Sequence, residues 1–234
     1  MKNKHTKALK AAFPYTIPIF AGFWFLGITY GIYMNVSGFS FWYPCLMSLT
    51  IFAGSMEFVT ANMILGAFNP IQAFTLTLMI NARHLFYGIS MLDKFKGTGL
   101  KKLYLIFGMC DETFSVNYTA KIPEDVDKGL FMTYVTLLNQ FYWVSGATIG
   151  GLLGNFVKFN TEGLDFGMTA MFAVIFTEQW LKEKNHTSSI LGLCISVICL
   201  AVFGADDFII PSMAAILISL TLIRRFIEKD GEEK

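Results

Sequence analysis

The chain has 234 residues, of which 54% are hydrophobic, 16% aromatic and only 15% charged, whereas about 25% are charged in an ordinary soluble domain, which this composition excludes. Its net charge of +1, with lysines confined to the N-terminus and the gaps between apolar runs, excludes the basic field that a nucleic-acid partner requires. Cys45, Cys110, Cys194 and Cys199 all fall in apolar segments without a Cys-x-x-Cys pair. They read as small buried hydrophobes, and neither a disulfide framework, a metal site nor a cofactor is expected.

The remaining charges are segregated. No Asp, Glu, Lys or Arg occurs between Lys10 and Glu57, from Phe58 to Ala82, from Gly129 to Val157, or from Asn185 to Ala205, and a bilayer span needs about 20 such residues. In chain order the apolar segments are Phe13 to Met34, Phe41 to Gly66, Ile71 to Leu92, Leu103 to Ala120, Leu130 to Phe156, Phe166 to Leu181, Ile190 to Gly204 and Phe208 to Phe226. None shows the dyad alternation of a barrel strand, so the expected fold class is all-α, a polytopic membrane helix bundle of 6 to 8 segments. One transmembrane transport domain is expected over 1–234, with a cytoplasmic tail at 1–12 and a charged tail at 227–234. The lysines at positions 2, 4, 7 and 10 resemble the front of a signal peptide, but the apolar run behind them is too long and lacks a small-residue cleavage site, so it reads as a retained span. Gly146, Gly150, Gly151 and Gly154 form a small-residue seam in the fifth segment, read as a helix-packing face.

Basic residues should lie on the cytoplasmic side. They cluster in the N-terminal tail, at Lys94 to Lys102, at Lys182 and Lys184, and at Arg224 and Arg225. If every segment crossed, the Lys94 to Lys102 loop would lie outside; re-entry of the second and sixth segments places all four clusters inside. Those two segments share an acidic-Phe pair, Glu57-Phe58 and Asp165-Phe166, and a second echo joins Phe107-Gly108 with its following Asp111-Glu112 to Phe203-Gly204 with Asp206-Asp207. Two internal repeats with broken helices are one reading, since transporters are often built this way, and chance matching of short apolar strings is the other.

An ionisable group inside a membrane segment costs about 2.5 kcal/mol or more to insert and marks function by default. Glu57 follows Gly54-Ser55, a pair that lets a helix break, and its carboxylate suits an ammonium group or a proton; the competing reading is a helix-capping or inter-helix hydrogen-bonding residue. Arg83 and His84 lie deep in the third segment. Arg offers a planar fork for a carboxylate and His exchanges protons near neutrality, but adjacent helical residues point about 100° apart, so one faces the ligand and the other a partner helix. The competing reading for Arg83 is a structural pair with Asp111 or Glu112. Asp206 and Asp207 read as a solvated turn and Glu178 as interfacial.

The strings Phe52-Ala-Gly-Ser-Met-Glu57-Phe58, Asn81-Ala-Arg83-His84-Leu-Phe-Tyr87-Gly88, Asp111-Glu112-Thr-Phe114 and Asp165-Phe166-Gly-Met-Thr-Ala-Met-Phe172 closely resemble the AzlC family, the large subunit of branched-chain amino acid exporters. That resemblance implies a permease subunit of the cell membrane that exports leucine, isoleucine, valine or their analogues with a small hydrophobic AzlD-like subunit. Many family members carry Gln where this chain has Glu57, which points to His84, Asp111 and Glu112 for proton coupling.

The expected pocket lies among the second, third and fourth segments and involves Glu57, Phe58, Asn81, Arg83, Asp111 and Glu112. Arg83 would hold the substrate carboxylate, Asp111 or Glu112 its ammonium, and Phe58, Phe86 or Phe114 its aliphatic chain. The rivals are an intramembrane aspartyl enzyme pairing Asp111 with Asp206, which lacks the expected Gly-x-Gly-Asp context, and a non-transporting assembly or channel subunit.

Overall fold

The computed structural model describes residues 2–66, 69–156 and 186–208, isolated positions between 173 and 181, and most of 211–222. The sixth predicted segment, with Asp165, Phe166 and Glu178, lies outside the described residues. The chain divides into two units, Met1–Met168 and Thr169–Lys234, and all regular structure among the described residues is helical.

The first helix, α1, runs Lys2–Val36. It begins inside the expected tail because that stretch packs: Ala8 and Ala12 are fully buried, Lys7 pairs with Asp125 at 3.0 Å and His5 Nδ1 meets the Tyr134 hydroxyl at 3.0 Å. The glycine seam explains the main packing of the unit, since a Cβ on Gly31 would run into the Ala147 carbonyl and the Gly151 amide, and one on Gly150 into the Ile28 carbonyl. Such close backbone approach is what small residues permit between membrane helices. The partner is the helix Lys128–Leu153. His5 meets Tyr134, Trp24 meets Ser145 and Asn35 meets Gly151, so the order ascends along both helices and they run parallel.

The second segment is split into α2, Trp42–Thr50, and α3, Gly54–Leu65, across a turn in which Phe52 takes φ +47°. At 9 and 12 residues these helices are about 14 and 18 Å long, too short for a hydrocarbon core of about 30 Å. Along the Lys128–Leu153 helix, α2 descends from Gly151, beside Phe41 and Pro44, to Gln140, which donates to the Leu49 carbonyl. Helix α3 then climbs back from Trp143 at Gly54 to Tyr33 at Asn62. Segment two therefore enters and leaves at one end.

Helix α4, Pro70–Met91, has 22 residues, about 33 Å, enough to cross. Ile71, Phe74, Leu78, Leu85 and Ile89 are exposed along it, a stripe that suits lipid rather than water.

The fourth segment differs from the single helix expected. It is α5, Lys101–Phe107, and α6, Asp111–Thr119, broken at Gly108 because a Cβ there would run into Thr136. Thr98, just before α5, packs on Gly129; Tyr104 reaches Gln140; Thr113 meets Asn139; and Asn117 returns to a cavity shared with Lys128 and Met132. This is a second re-entrant hairpin, entering from the end opposite to the first. Its return brings α7, Lys128–Leu153, back parallel to α1, and α7 ends in the 3-10 turn Gly154–Phe156.

In the second unit α8 spans Thr187–Asp207, with Gly204 at φ +79° kinking it. Asp206 and Asp207 follow this interruption at the C-terminal end of α8, and their side chains lie outside the described residues. Gly108 and Gly204, the paired glycines of the sequence echo, both mark helix interruptions. Among the described residues, Lys4–Val36 and Thr187–Gly204 are long and apolar enough to cross a membrane by composition alone.

Candidate functional site

The tips of the two hairpins meet beside the middle of α7. A cavity of about 240 Å³ is lined by Ile51, Phe52 and Ala53 from the first tip, Ile106, Phe107 and Met109 from the second, and Asn81 and His84 from the centre of α4. Apart from the α4 pair, the side chains lining it are apolar, and the backbone of two interrupted helices brings free helix ends to it.

The α4 groups are arranged for a polar ligand. The His84 Nδ1–H donates to the Asn81 carbonyl at 3.2 Å, which leaves Nε2 as an acceptor. Asn81 Oδ1 is buried without a hydrogen-bond partner among the described residues. Next to His84 but pointing about 100° away from it, Arg83 Nε donates to Asp111 Oδ1 at 2.9 Å, and one turn further Tyr87 stacks on Phe114 at 4.4 Å. The pair is partly open, with side-chain exposures of 33% and 24%. Glu112, also in the first turn of α6, is partly buried beside it.

Glu57 occupies different surroundings. It is fully buried; its Oε1 accepts from Trp143 Nε1 at 2.9 Å and from the Ala53 amide at 3.2 Å, while Oε2 has no partner among the described residues. Phe58 is 3% exposed and packed on the Tyr30 and Tyr33 rings. Phe86 is 53% exposed beside the lipid-facing stripe, and Phe114 is covered by Tyr87. None of the three phenylalanines expected around the substrate chain lines the cavity. Phe52 and Phe107, at the tips themselves, do. The side chain of Asp206 lies outside the described residues, and Asp111 is engaged by Arg83.

The residues that hold both tips come from α7. Gln140 Nε2 donates to the Leu49 carbonyl at 3.1 Å, satisfying a C-terminal carbonyl of α2, and its Oε1 accepts from the Tyr104 hydroxyl at 2.7 Å. Asn139 Nδ2 donates to Thr113 Oγ1 at 3.1 Å, and Trp143 holds Glu57. One turn of α7 thus ties the start of α3, the end of α2, the middle of α5 and the start of α6. The adjacent carboxamides within the charge-free run Gly129 to Val157 were the signal available for them in the sequence.

Comparison with known proteins places the chain in a family. A family model described as AzlC protein matches residues 18–157. The chain is 68% identical over 222 residues, covering 95% of itself and 87% of its relative, to the branched-chain amino acid transport protein AzlC of Bacillus subtilis. It is 51% identical, over 94% of itself and 91% of the relative, to an uncharacterized membrane protein of Haemophilus influenzae. It is 25% identical, over 84% of itself and 80% of the relative, to the inner membrane protein YgaZ of Escherichia coli. No solved structure matches.

Proposed function

Because the chain belongs to the AzlC family of membrane proteins, we propose that it is a branched-chain amino acid export permease whose substrate sits where the two re-entrant tips meet. The observation that carries this reading is the cavity between the tips, with apolar walls and the unpartnered Asn81 Oδ1 beside His84. Asn81 Oδ1 accepts from the substrate ammonium. Ile51, Phe52, Ile106, Phe107 and Met109 surround a branched aliphatic side chain, in the pattern of apolar walls with a few placed polar groups.

Arg83 and Asp111 act as an exchange. In the substrate-free state they satisfy each other; an entering carboxylate takes the terminal amino groups of the Arg83 fork, and the released Asp111 carboxylate faces the ammonium. A proton arriving on Asp111, through His84 or Glu112, weakens the Arg83 pair and couples the exchange to the proton gradient. The lysine-rich end, with the N-terminus, Lys94 and Lys128, faces the cytoplasm by the positive-inside bias. The first hairpin then enters from outside and the second from inside. A small AzlD-like membrane subunit completes the complex at the exposed apolar surface, and the protein resides as a multi-pass component of the cell membrane.

Efflux of labelled leucine, isoleucine and valine from loaded cells, with and without the adjacent small subunit, tests this function. Accelerated efflux that requires both chains is the expected result; no efflux of any of the three overturns the proposal.

A further inference from the structure

A second cavity, of about 460 Å³, lies at the lysine-rich end between the turn that follows α4, the C-terminal end of α6 and the start of α7. Asp93, Lys94, Lys96, Asn117 and Lys128 provide its polar lining, and Ala120, Ile122 and Met132 its apolar floor. Asn117 is 3% exposed, and its Oδ1 has no hydrogen-bond partner among the described residues. A buried orphan acceptor in a cavity calls for a donor from a ligand. Lys94 is already committed: its ammonium bonds the carbonyls of Asn117 and Tyr118 at the end of α6 and lies 4.6 Å over the Tyr118 ring. Lys96 pairs with Asp93 at 2.6 Å. Lys128 stands exposed at the first position of a 26-residue helix, whose N-terminal dipole adds to its attraction for an anion.

A row of stacked rings runs from the Arg83–Asp111 pair toward Lys94 at this cavity. From the Arg83–Asp111 pair, Tyr87 stacks on Phe114, Phe114 on Tyr118 at 5.4 Å, and Lys94 closes over Tyr118. Asn117 lies six helical positions beyond Asp111, about 9 Å along α6. An acceptor for an ammonium, a cation for an anionic group and an apolar floor therefore sit at the end of this row of rings.

We propose that this cavity is a second binding site for a zwitterion, with the ligand's ammonium on Asn117 Oδ1 and its anionic group on Lys128. Two sources share that chemistry. One is an amino acid awaiting transfer to the central site, a form that rests on the transport reading above; the other is the headgroup of an ethanolamine phospholipid.

The test is equilibrium binding of labelled leucine to the purified complete complex, this chain with its small subunit, in nanodiscs, one set of phosphatidylcholine alone and one containing phosphatidylethanolamine, with co-purified lipid identified by mass spectrometry. An amino-acid site predicts two leucines per chain in phosphatidylcholine. Asn117→Leu should remove one and Asn81→Leu the other, and Lys128→Gln, an exposed change that leaves packing alone, should weaken the Asn117-dependent site about tenfold. A headgroup site predicts one leucine per chain and bound phosphatidylethanolamine that is lost in Asn117→Leu and Lys128→Gln. A single leucine site and no retained phosphatidylethanolamine, both indifferent to these two substitutions, overturns the second site and leaves the central one standing. No leucine binding under any condition overturns the central reading, and the amino-acid form falls with it.

Discussion

The two re-entrant hairpins do the same topological job with opposite chemistry. The first, α2–α3, turns back around Glu57, a carboxylate sealed from solvent and held by Trp143 and its own Ala53 amide, with an aromatic core of Tyr30, Phe58 and Trp143 behind it. The second, α5–α6, turns back beside Asp111, which is partly open and neutralised by Arg83 from another helix. Both hairpins are tied to α7 by buried hydrogen bonds, but only the second also carries a partly open ion pair that can exchange partners. Under the proposed exchange the first hairpin anchors and the second gates.

The largest disturbance should come from the support the two hairpins share. In Gly31→Val the new side chain meets backbone of α7 that cannot move aside, and overpacking of this kind costs about 3 kcal/mol. Detergent-solubilised protein should then show an early thermal transition and loss of the monodisperse peak; normal behaviour would mean that the seam does not set the positions of the hairpins. Next is the second hairpin alone. Arg83→Gln leaves Asp111 unpaired at partial burial and should cost about 2 kcal/mol, with much of that stability recovered when Asp111→Asn is added. If the two changes are simply additive, the ion pair does not hold the gate.

The first hairpin should respond to shape and hydrogen bonding rather than to charge. Glu57→Gln keeps an oxygen for Trp143 and Ala53 and should remain within about 1 kcal/mol of the parent, whereas Glu57→Leu strands both donors at about 2 kcal/mol. Equal damage from the two would show that the negative charge itself is required. The smallest effect belongs to the surface pair outside both hairpins. Lys7 holds the Asp125 carboxyl below its ordinary value through hydrogen bonding and charge. Because that value is lowered by folding, the stabilisation is present above the ordinary carboxylate range and is lost as pH falls through the folded value. Asp125→Asn should therefore shift the thermal midpoint slightly at pH 7 and have no effect under strongly acidic conditions; a difference that grew on acidification would contradict the pairing.

Charge segregation was enough to expose the membrane class and the third segment, because α4 is a simple span whose polar residues stand out against lipid-facing ones. The break at Ile51 to Ala53 was legible only nearby, at Gly54-Ser55, since Phe52 adopts a left-handed conformation that no phenylalanine advertises. The second reversal was hidden altogether: Phe107, Met109 and Cys110 keep the run apolar through the turn, and hydropathy carries no direction. Gly108 was its single mark. Asn139 and Gln140 went unread because they bear no charge, although a carboxamide pair in a helix as apolar as α7 needs partners for the same reason an ionised group does. Return of the second segment to its starting end accounts for the Lys94 to Lys102 loop lying at the same end as the N-terminal lysines, and the sixth segment lies mostly outside the described residues. The fourth segment's re-entry could not be inferred from loop charge, since its ends lie among lysines in either case.

The most direct test of the central claim is transport by Asn81→Leu in proteoliposomes containing the complete complex. Asn81 gives the cavity between the tips a buried acceptor without a partner among the described residues, and leucine is close to asparagine in size, so the fold should survive. The account predicts leucine flux reduced at least tenfold, with normal reconstitution and thermal stability; flux equal to that of the parent would place the substrate somewhere other than between the two hairpins.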